Sequence, residues 1–302
     1  MIVLKSNRLA VSIELPGNGE NNTCRFDRAG FVVSVLLDDN FEFAGKEPDG
    51  EGFPSSGGMG LCSEIICDPI SDAVTIGDYF PKFGVGLLKK HKAEPYFFME
   101  KYEVRPFPMS WQVNPDMTQV RFVTLPMDCG GYSVLQTKII GVNENKLTVS
   151  YSIKNTGENS ILFEEYCHNF LNLNGLLIDE KYQLQLSGIS LTDTELFLTS
   201  EAPFWFDKTN IGFRYLVTQS SLLEASHDCI LSDTAFSWKL INKHAPVTVS
   251  ENVSFIPERF SLWAASDVIS PEIFYKKKLL PGESCCWNRI YTFSIIGQDL
   301  VE

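Results

Sequence analysis

YSIKNTGENSILFEEYCHNFLNLNG, residues 151–175, is the stretch that decides the fold. It reads as a hairpin. One apolar–polar alternation ends at Ile153. Asn155-Thr156-Gly157, with Glu158 and Asn159, supplies a turn, and a second alternating run starts at Ser160. Period two is the signature of a strand with one face on a core and one face turned elsewhere. The second run leads into a polar cluster. There His168 falls among Asn169, Asn172 and Asn174, with Tyr166 and Phe170 interleaved.

The same alternation dominates the rest of the chain. Strands are expected at 9–15, 30–37, 96–104, 119–125, 132–142 and 146–153. Later ones are expected at 160–165, 182–186, 211–217, 235–241, 260–265 and 287–294. These segments are rich in Val, Ile, Phe, Tyr and Thr. Turn residues separate them, as in Asn143-Glu144-Asn145 and Pro281-Gly282. No long helical stripe with caps is present. Many short strands at regular spacing predict an all-β protein, a large antiparallel β-sandwich rather than a βαβ sheet. Residues 47–59 hold Pro48, Gly50, Gly52, Pro54, Gly57 and Gly58 and read as an irregular loop, not a linker. The reading is one domain over 1–302, with no internal repeat.

Composition narrows the function classes. The 302 residues are 44% hydrophobic and 12% aromatic, enough for a large core. A net charge of −13 repels phosphate backbones and anionic lipid heads, so neither nucleic acid nor a membrane is expected as a partner. Eight cysteines are scattered with no C-x-x-C pair, which suits reduced thiols in a cytoplasmic protein. No stretch at the start is apolar enough for a signal core, and no run of about 18 apolar residues occurs. No His/Cys/Asp spacing suggests a metal site.

Amides and an imidazole beside aromatic rings suit a sugar, since hydroxyls take hydrogen bonds and a pyranose face stacks on a ring. His168-Asn-Phe-Leu-Asn-Leu-Asn-Gly175 resembles the His-x-Tyr-Phe-Asn-Leu segment of the aldose 1-epimerase (galactose mutarotase-like) family, and the hairpin before it is where that family has one. Thr23-Cys-Arg-Phe-Asp-Arg-Ala-Gly-Phe-Val32 resembles its early segment. The run from Phe260 through Trp263, Ser270-Pro-Glu-Ile273 and Leu280-Pro-Gly-Glu-Ser284 to Phe293 resembles its ending. The resemblance covers nearly the whole chain, with the His segment and the Pro-Gly-Glu ending as its specific parts.

That resemblance implies a cofactor-free isomerase. Mutarotation opens a sugar ring and recloses it on the other face, which needs a base at the anomeric hydroxyl and an acid at the ring oxygen. A histidine and a carboxylate on opposite sides of the sugar would serve. By resemblance His168 is the acid. Glu272 is the first choice for the base, with Glu258 and Glu283 as fallbacks; Glu283 fits better as part of its own turn. Tyr166 and Asn169 are expected at the sugar. Arg25 either pairs with Asp27 or reaches sugar hydroxyls, and Trp205 and Trp263 are each either stacking platforms or core. The family also carries an early Pro-x-His-Gly-x-x-Arg segment. Here Phe80-Pro-Lys-Phe-Gly-Val-Gly-Leu87 puts Phe83 and Leu87 at the His and Arg positions, leaving Lys82, Lys89, Lys90 or His91 as replacements.

Three readings stay open. The first is a carbohydrate epimerase, monomeric or homodimeric, acting on a small-molecule sugar. The second is a carbohydrate-binding or sensory protein on the same scaffold. The third is a lyase or hydrolase. A hydrolase needs two flanking carboxylates, and adjacent Glu164 and Glu165 point to opposite faces of one strand.

Overall fold

A computed structural model describes residues 1–16, 24–49, 56–67, 70–192, 194–199, 201–231 and 235–297. Among them the strands, in chain order, begin with β1 (Ile2–Lys5), β2 (Leu9–Glu14), β3 (Phe31–Leu37), β4 (Phe41–Glu42), β5 (Gly60–Ile66), β6 (Tyr79–Lys82), β7 (Gly86–Lys89) and β8 (Val104–Pro106). They continue with β9 (Met109–Val113), β10 (Gln119–Thr124), β11 (Val134–Asn143), β12 (Lys146–Asn155), β13 (Ile161–Phe170), β14 (Tyr182–Ser187), β15 (Leu196–Leu198) and β16 (Phe204–Phe206). The last are β17 (Asn210–Phe213), β18 (Ser221–Ala225), β19 (Ser237–Asn242), β20 (Val247–Val253), β21 (Arg259–Ala264), β22 (Ile269–Leu279) and β23 (Ser284–Ile295). The one helical turn among the described residues is a 3₁₀ turn at His227–Cys229.

Two antiparallel sheets make the body. The first runs β1-β2-β3-β5-β13-β22-β21-β18-β15, with β4 against β3. The second runs β16-β17-β14-β19-β20-β23-β12-β11-β10-β9. A small sheet, β6-β7-β8, stands apart from both. Alternation along β11 and β12 sends Ile140, Val142, Leu147, Val149, Tyr151 and Ile153 inward, where they join a core that extends from Ile2 to Phe293. Each fully buried side chain of this size contributes roughly 1.5–3 kcal/mol through apolar burial.

The expected hairpin is β12–β13. Its turn closes by the predicted chemistry, with Gly157 N–H donating to Asn155 Oδ1 at 3.0 Å and Asn155 Nδ2 donating to Asn159 O at 2.9 Å. Glu283 does belong to its turn, where its Oε2 accepts the Leu280 N–H at 2.8 Å. Most expected strands are present within a few residues of their expected ends. Residues 96–103 are not a strand; pairing begins only at β8. Their aromatics pack on each other across a loop, Tyr96 stacked on Tyr102 at 5.7 Å, rather than alternating across a pleat. The strand expected at 211–217 stops at Phe213, and the chain then bends toward residues 218–220. Part of the loop expected at 47–59, residues 50–55, lies outside the described residues. None of the eight cysteines is in a disulfide. No helix among the described residues is long and apolar enough to cross a membrane.

Candidate functional site

Strand β13 carries the site because its two faces do different work. Ile161, Phe163, Glu165, Cys167 and Asn169 point between the sheets. Tyr166, His168 and Phe170 point to the outer face. On the outer face a second, smaller apolar cluster of Phe26, Phe31, Cys62, Phe170, Ala265 and Val268 forms a platform. His168 lies on it, stacked on Phe170 with ring centroids 4.0 Å apart and 8° between planes. Trp263 meets the same imidazole edge-on at 5.2 Å. Gly58 makes room for the platform, since a Cβ there would fall 2.1 Å from Phe170 ring carbons.

Strand β22 supplies the partner. His168 Nε2 is 3.3 Å from Glu272 Oε1, and the Ser270 hydroxyl donates to the same oxygen at 2.9 Å. Both side chains are almost wholly buried, at 5% and 7% exposure. Burial raises the Glu272 carboxyl to about 7; the Ser270 hydrogen bond and the more distant Arg25 and Arg259 oppose this, and Glu224 adds to it. Burial, and then the positive charge of Arg25, push His168 well below its ordinary value. The pair is therefore not an ion pair at neutral pH. His168 is uncharged, and its Nδ1 has no hydrogen-bond partner in the structure. Nε2 is the ring nitrogen turned toward Glu272.

A second polar group adjoins the first. Glu64, on β5, accepts from Arg25 Nε at 3.0 Å, Tyr166 Oη at 2.7 Å and Lys82 Nζ at 2.7 Å. Arg25 also donates to the Tyr166 hydroxyl at 3.0 Å and to Ser56 Oγ at 2.9 Å, and its guanidinium lies 4.1 Å from the Phe98 ring centroid. Burial alone would raise Glu64, but Lys82 and Arg25 outweigh it and hold this carboxylate below its ordinary value. So two buried glutamates on the strands that flank β13 differ in character: Glu64 is a fixed anion, and Glu272 is poised to exchange a proton.

Both groups face one cleft of about 1100 Å³. Its floor is Tyr166, His168, Glu272, Trp263 and Phe274. Residues 47–49, 97–99 and 218–220 form its sides, with Glu224 and Arg259 at one end. Apolar rings with a few convergent polar groups are the common make-up of a small-molecule site.

The expected site residues thus divide. His168, Glu272, Arg25, Tyr166 and Trp263 line this cleft. Arg25 does not pair with Asp27, whose carboxylate instead accepts from Gln136 and Tyr151 at 3.0 and 2.9 Å. The expectation that His168 and the carboxylate flank a ligand from opposite sides is corrected, because they stand side by side on one wall. Asn169 faces between the sheets, its amide taken by Pro271 O and Tyr291 Oη, so it touches no ligand in the cleft. Trp205 lies on β16 in the other sheet, packed over Gly212, and is also away from the cleft. Glu258 accepts from Lys276 at the surface.

Phe83 and Leu87 are core residues. Of the proposed replacements only Lys82 comes near the site, behind Glu64. Lys89 and His91 pair with Glu103 and Glu100, and Lys90 donates to Ser71 O. Sequence reasoning missed Glu64, Phe98, Arg259 and Phe274. Neither β5 nor β22 alternates in sequence, since Gly60–Ile66 and the first half of Ile269–Leu279 are buried on both faces, so no pattern marked Glu64 or Phe274. Among the described residues no cluster of three His, Cys, Asp or Glu is placed to hold a metal.

The architecture is shared with known structures at low sequence identity. A galactose mutarotase-like protein from Lactobacillus casei superposes with a TM-score of 0.61 at 12% identity, covering 97% of this chain and 100% of its own. A galactose mutarotase-like protein from Clostridium acetobutylicum gives 0.56 at 11% identity, covering 97% and 95%. The fold is that of the galactose mutarotase-like proteins. An aldose epimerase homologue from C. elegans shows the mutarotase-like fold again, with a TM-score of 0.53, 12% identity and coverage of 98% and 99%. No protein-family model matches the chain, and neither does any curated protein sequence.

Proposed function

We propose that the chain is a carbohydrate epimerase of the mutarotase type, acting at the anomeric carbon of a small-molecule sugar in the cytoplasm. The observation that carries this reading is the His168–Glu272 pair, buried on one wall of an aromatic-lined cleft. In a cyclic hemiacetal the anomeric hydroxyl and the ring oxygen are bonded to the same carbon. An acid and a base that stand side by side can therefore reach both. Ionised Glu272 takes the hydroxyl proton as the bond from the anomeric carbon to the ring oxygen breaks. Neutral His168 hydrogen-bonds the departing ring oxygen through its Nε2–H, and that oxygen receives the proton which Glu272 took from the hydroxyl. The open aldehyde turns about its first carbon–carbon bond, and the reverse steps reclose it on the other face. A neutral imidazole used as electrophile beside a carboxylate base has precedent in triosephosphate isomerase. Tyr166 and Arg25 stand within the same cleft to take hydroxyls, and Trp263 and Phe274 to take a sugar face.

A second reading has a specific observation in its favour. Phe83 and Leu87, buried in the core, leave the cleft without the early His and Arg of the resembled family. A site short of such contacts suits a protein that binds a sugar without turning it over. NMR exchange spectroscopy on a panel of reducing sugars separates the two. Faster exchange between anomers of one sugar is expected. Shifts on binding with exchange no faster than in buffer would favour the binding protein.

A further inference from the structure

The ladder between β13 and β22 opens where the site lies. Pairing runs from Ile161↔Leu279 to Glu165↔Tyr275, and the same count resumes at the bridge Leu171↔Ile269. Within the gap Pro271 has no N–H to give. The carbonyls on either side of Glu272 are taken by side chains from the layer between the sheets. Asn169 Nδ2 donates to Pro271 O at 2.5 Å, and Arg289 Nη2 donates to Ile273 O at 2.8 Å. The Asn169 N–H meets Ser270 Oγ at 2.9 Å, and that hydroxyl in turn donates to Glu272.

Both donors are themselves held. The Tyr291 hydroxyl donates to Asn169 Oδ1 at 2.9 Å. Arg289 is fully buried between Glu165 and Glu251, at 2.9 and 2.8 Å. Trp287 and Trp238 donate to those two carboxylates at 2.8 and 2.6 Å. Trp287, Arg289 and Tyr291 alternate along β23, so one strand of the second sheet reaches both site strands of the first. Stability alone does not explain this layer, because well-packed apolar residues in place of a buried ion cluster are often neutral or stabilising. A buried polar network does fix geometry, since each member accepts only one arrangement of its partners.

We propose that Asn169, Tyr291 and Arg289 are positioning residues, which clamp the two carbonyls flanking Glu272 from behind the sheet and so set its spacing from His168. The catalytic meaning of the clamp rests on the epimerase reading; its geometry does not. Tyr291→Phe and Asn169→Ser loosen the clamp. Phe213→Leu, buried on β17 in the second sheet and in no hydrogen bond of this layer, is the structural control. The loosened variants are expected to lower kcat for anomer exchange about ten- to a hundredfold with KM changed less than about twofold. They are also expected to move the carboxyl-13C titration midpoint of Glu272, identified by its loss in Glu272→Gln. Phe213→Leu is expected to lose comparable thermal stability and move neither. A Glu272 midpoint unchanged in the loosened variants, or shifted equally in Phe213→Leu, overturns the clamp. If the wild type accelerates no sugar, the epimerase reading fails, while the titration still decides the clamp.

Discussion

His168 and Glu272 show how position alone turns two ordinary side chains into a matched pair. Burial disfavours the charged form of each, so the carboxyl moves up to about 7 and the imidazole moves down. Anomer exchange should therefore speed up as pH rises through about 7, where Glu272 becomes the base, with no second inflection at the ordinary imidazole range of about 6.5. A pH–rate series on the wild type checks this. Stability should respond in the opposite sense. Between 4.5 and about 7 the folded Glu272 holds a proton that the unfolded chain has released, so its contribution to stability falls as pH rises across that window. His168 acts the other way, because the unfolded chain takes up a proton below about 6.5 that the folded ring refuses. Glu272→Gln should thus gain on the wild type above pH 7, by up to about 3 kcal/mol, and lose that advantage in acid. Thermal melts of both proteins at pH 5 and pH 8 read the difference.

At the scale of the element, β13 and β22 explain how much of the site was legible. The run from Ile161 to Glu165 alternates, so the sequence showed a strand, and the cluster at 166–174 marked its far end. The expected strand stopped at Glu165 because Tyr166-Cys-His-Asn-Phe170 is buried on both faces, and a doubly buried run loses its alternation. Asn169 was misassigned for the same reason, as adjacent positions on a strand serve opposite faces. The β22 strand was not expected at all. Pro271 and the run Lys276-Lys277-Lys278 disguise it, and its ladder to β13 opens beside the proline. Arg289→Leu tests the layer that bridges these elements. It leaves Glu165 and Glu251 buried without their cation and is expected to cost about 3–5 kcal/mol, read from urea unfolding midpoints. A loss below about 1 kcal/mol would show that the cluster is more hydrated than its burial implies.

At the scale of the whole molecule, the fold class was legible because alternation is a property of nearly every segment and survives errors in single strands. Two sheets of ten strands each put a shared core between them and leave the outer face of the first free to carry a cleft. The cleft was not legible. Its sides come from residues 47–49, 97–99 and 218–220, far apart in sequence and without regular structure, and only the closed fold brings them over β13 and β22. Similarity at 11–12% identity fixes the architecture and leaves the chemistry to the residues on the wall.

The most direct measurement is the rate of anomer exchange, by NMR, for the most responsive reducing sugar with the wild type, His168→Ala and Glu272→Gln. Removal of an acid or base group typically costs about 10²–10⁴-fold. The account predicts acceleration by the wild type and a loss of that order in each variant, with folded spectra retained. Acceleration that survives both substitutions would contradict it.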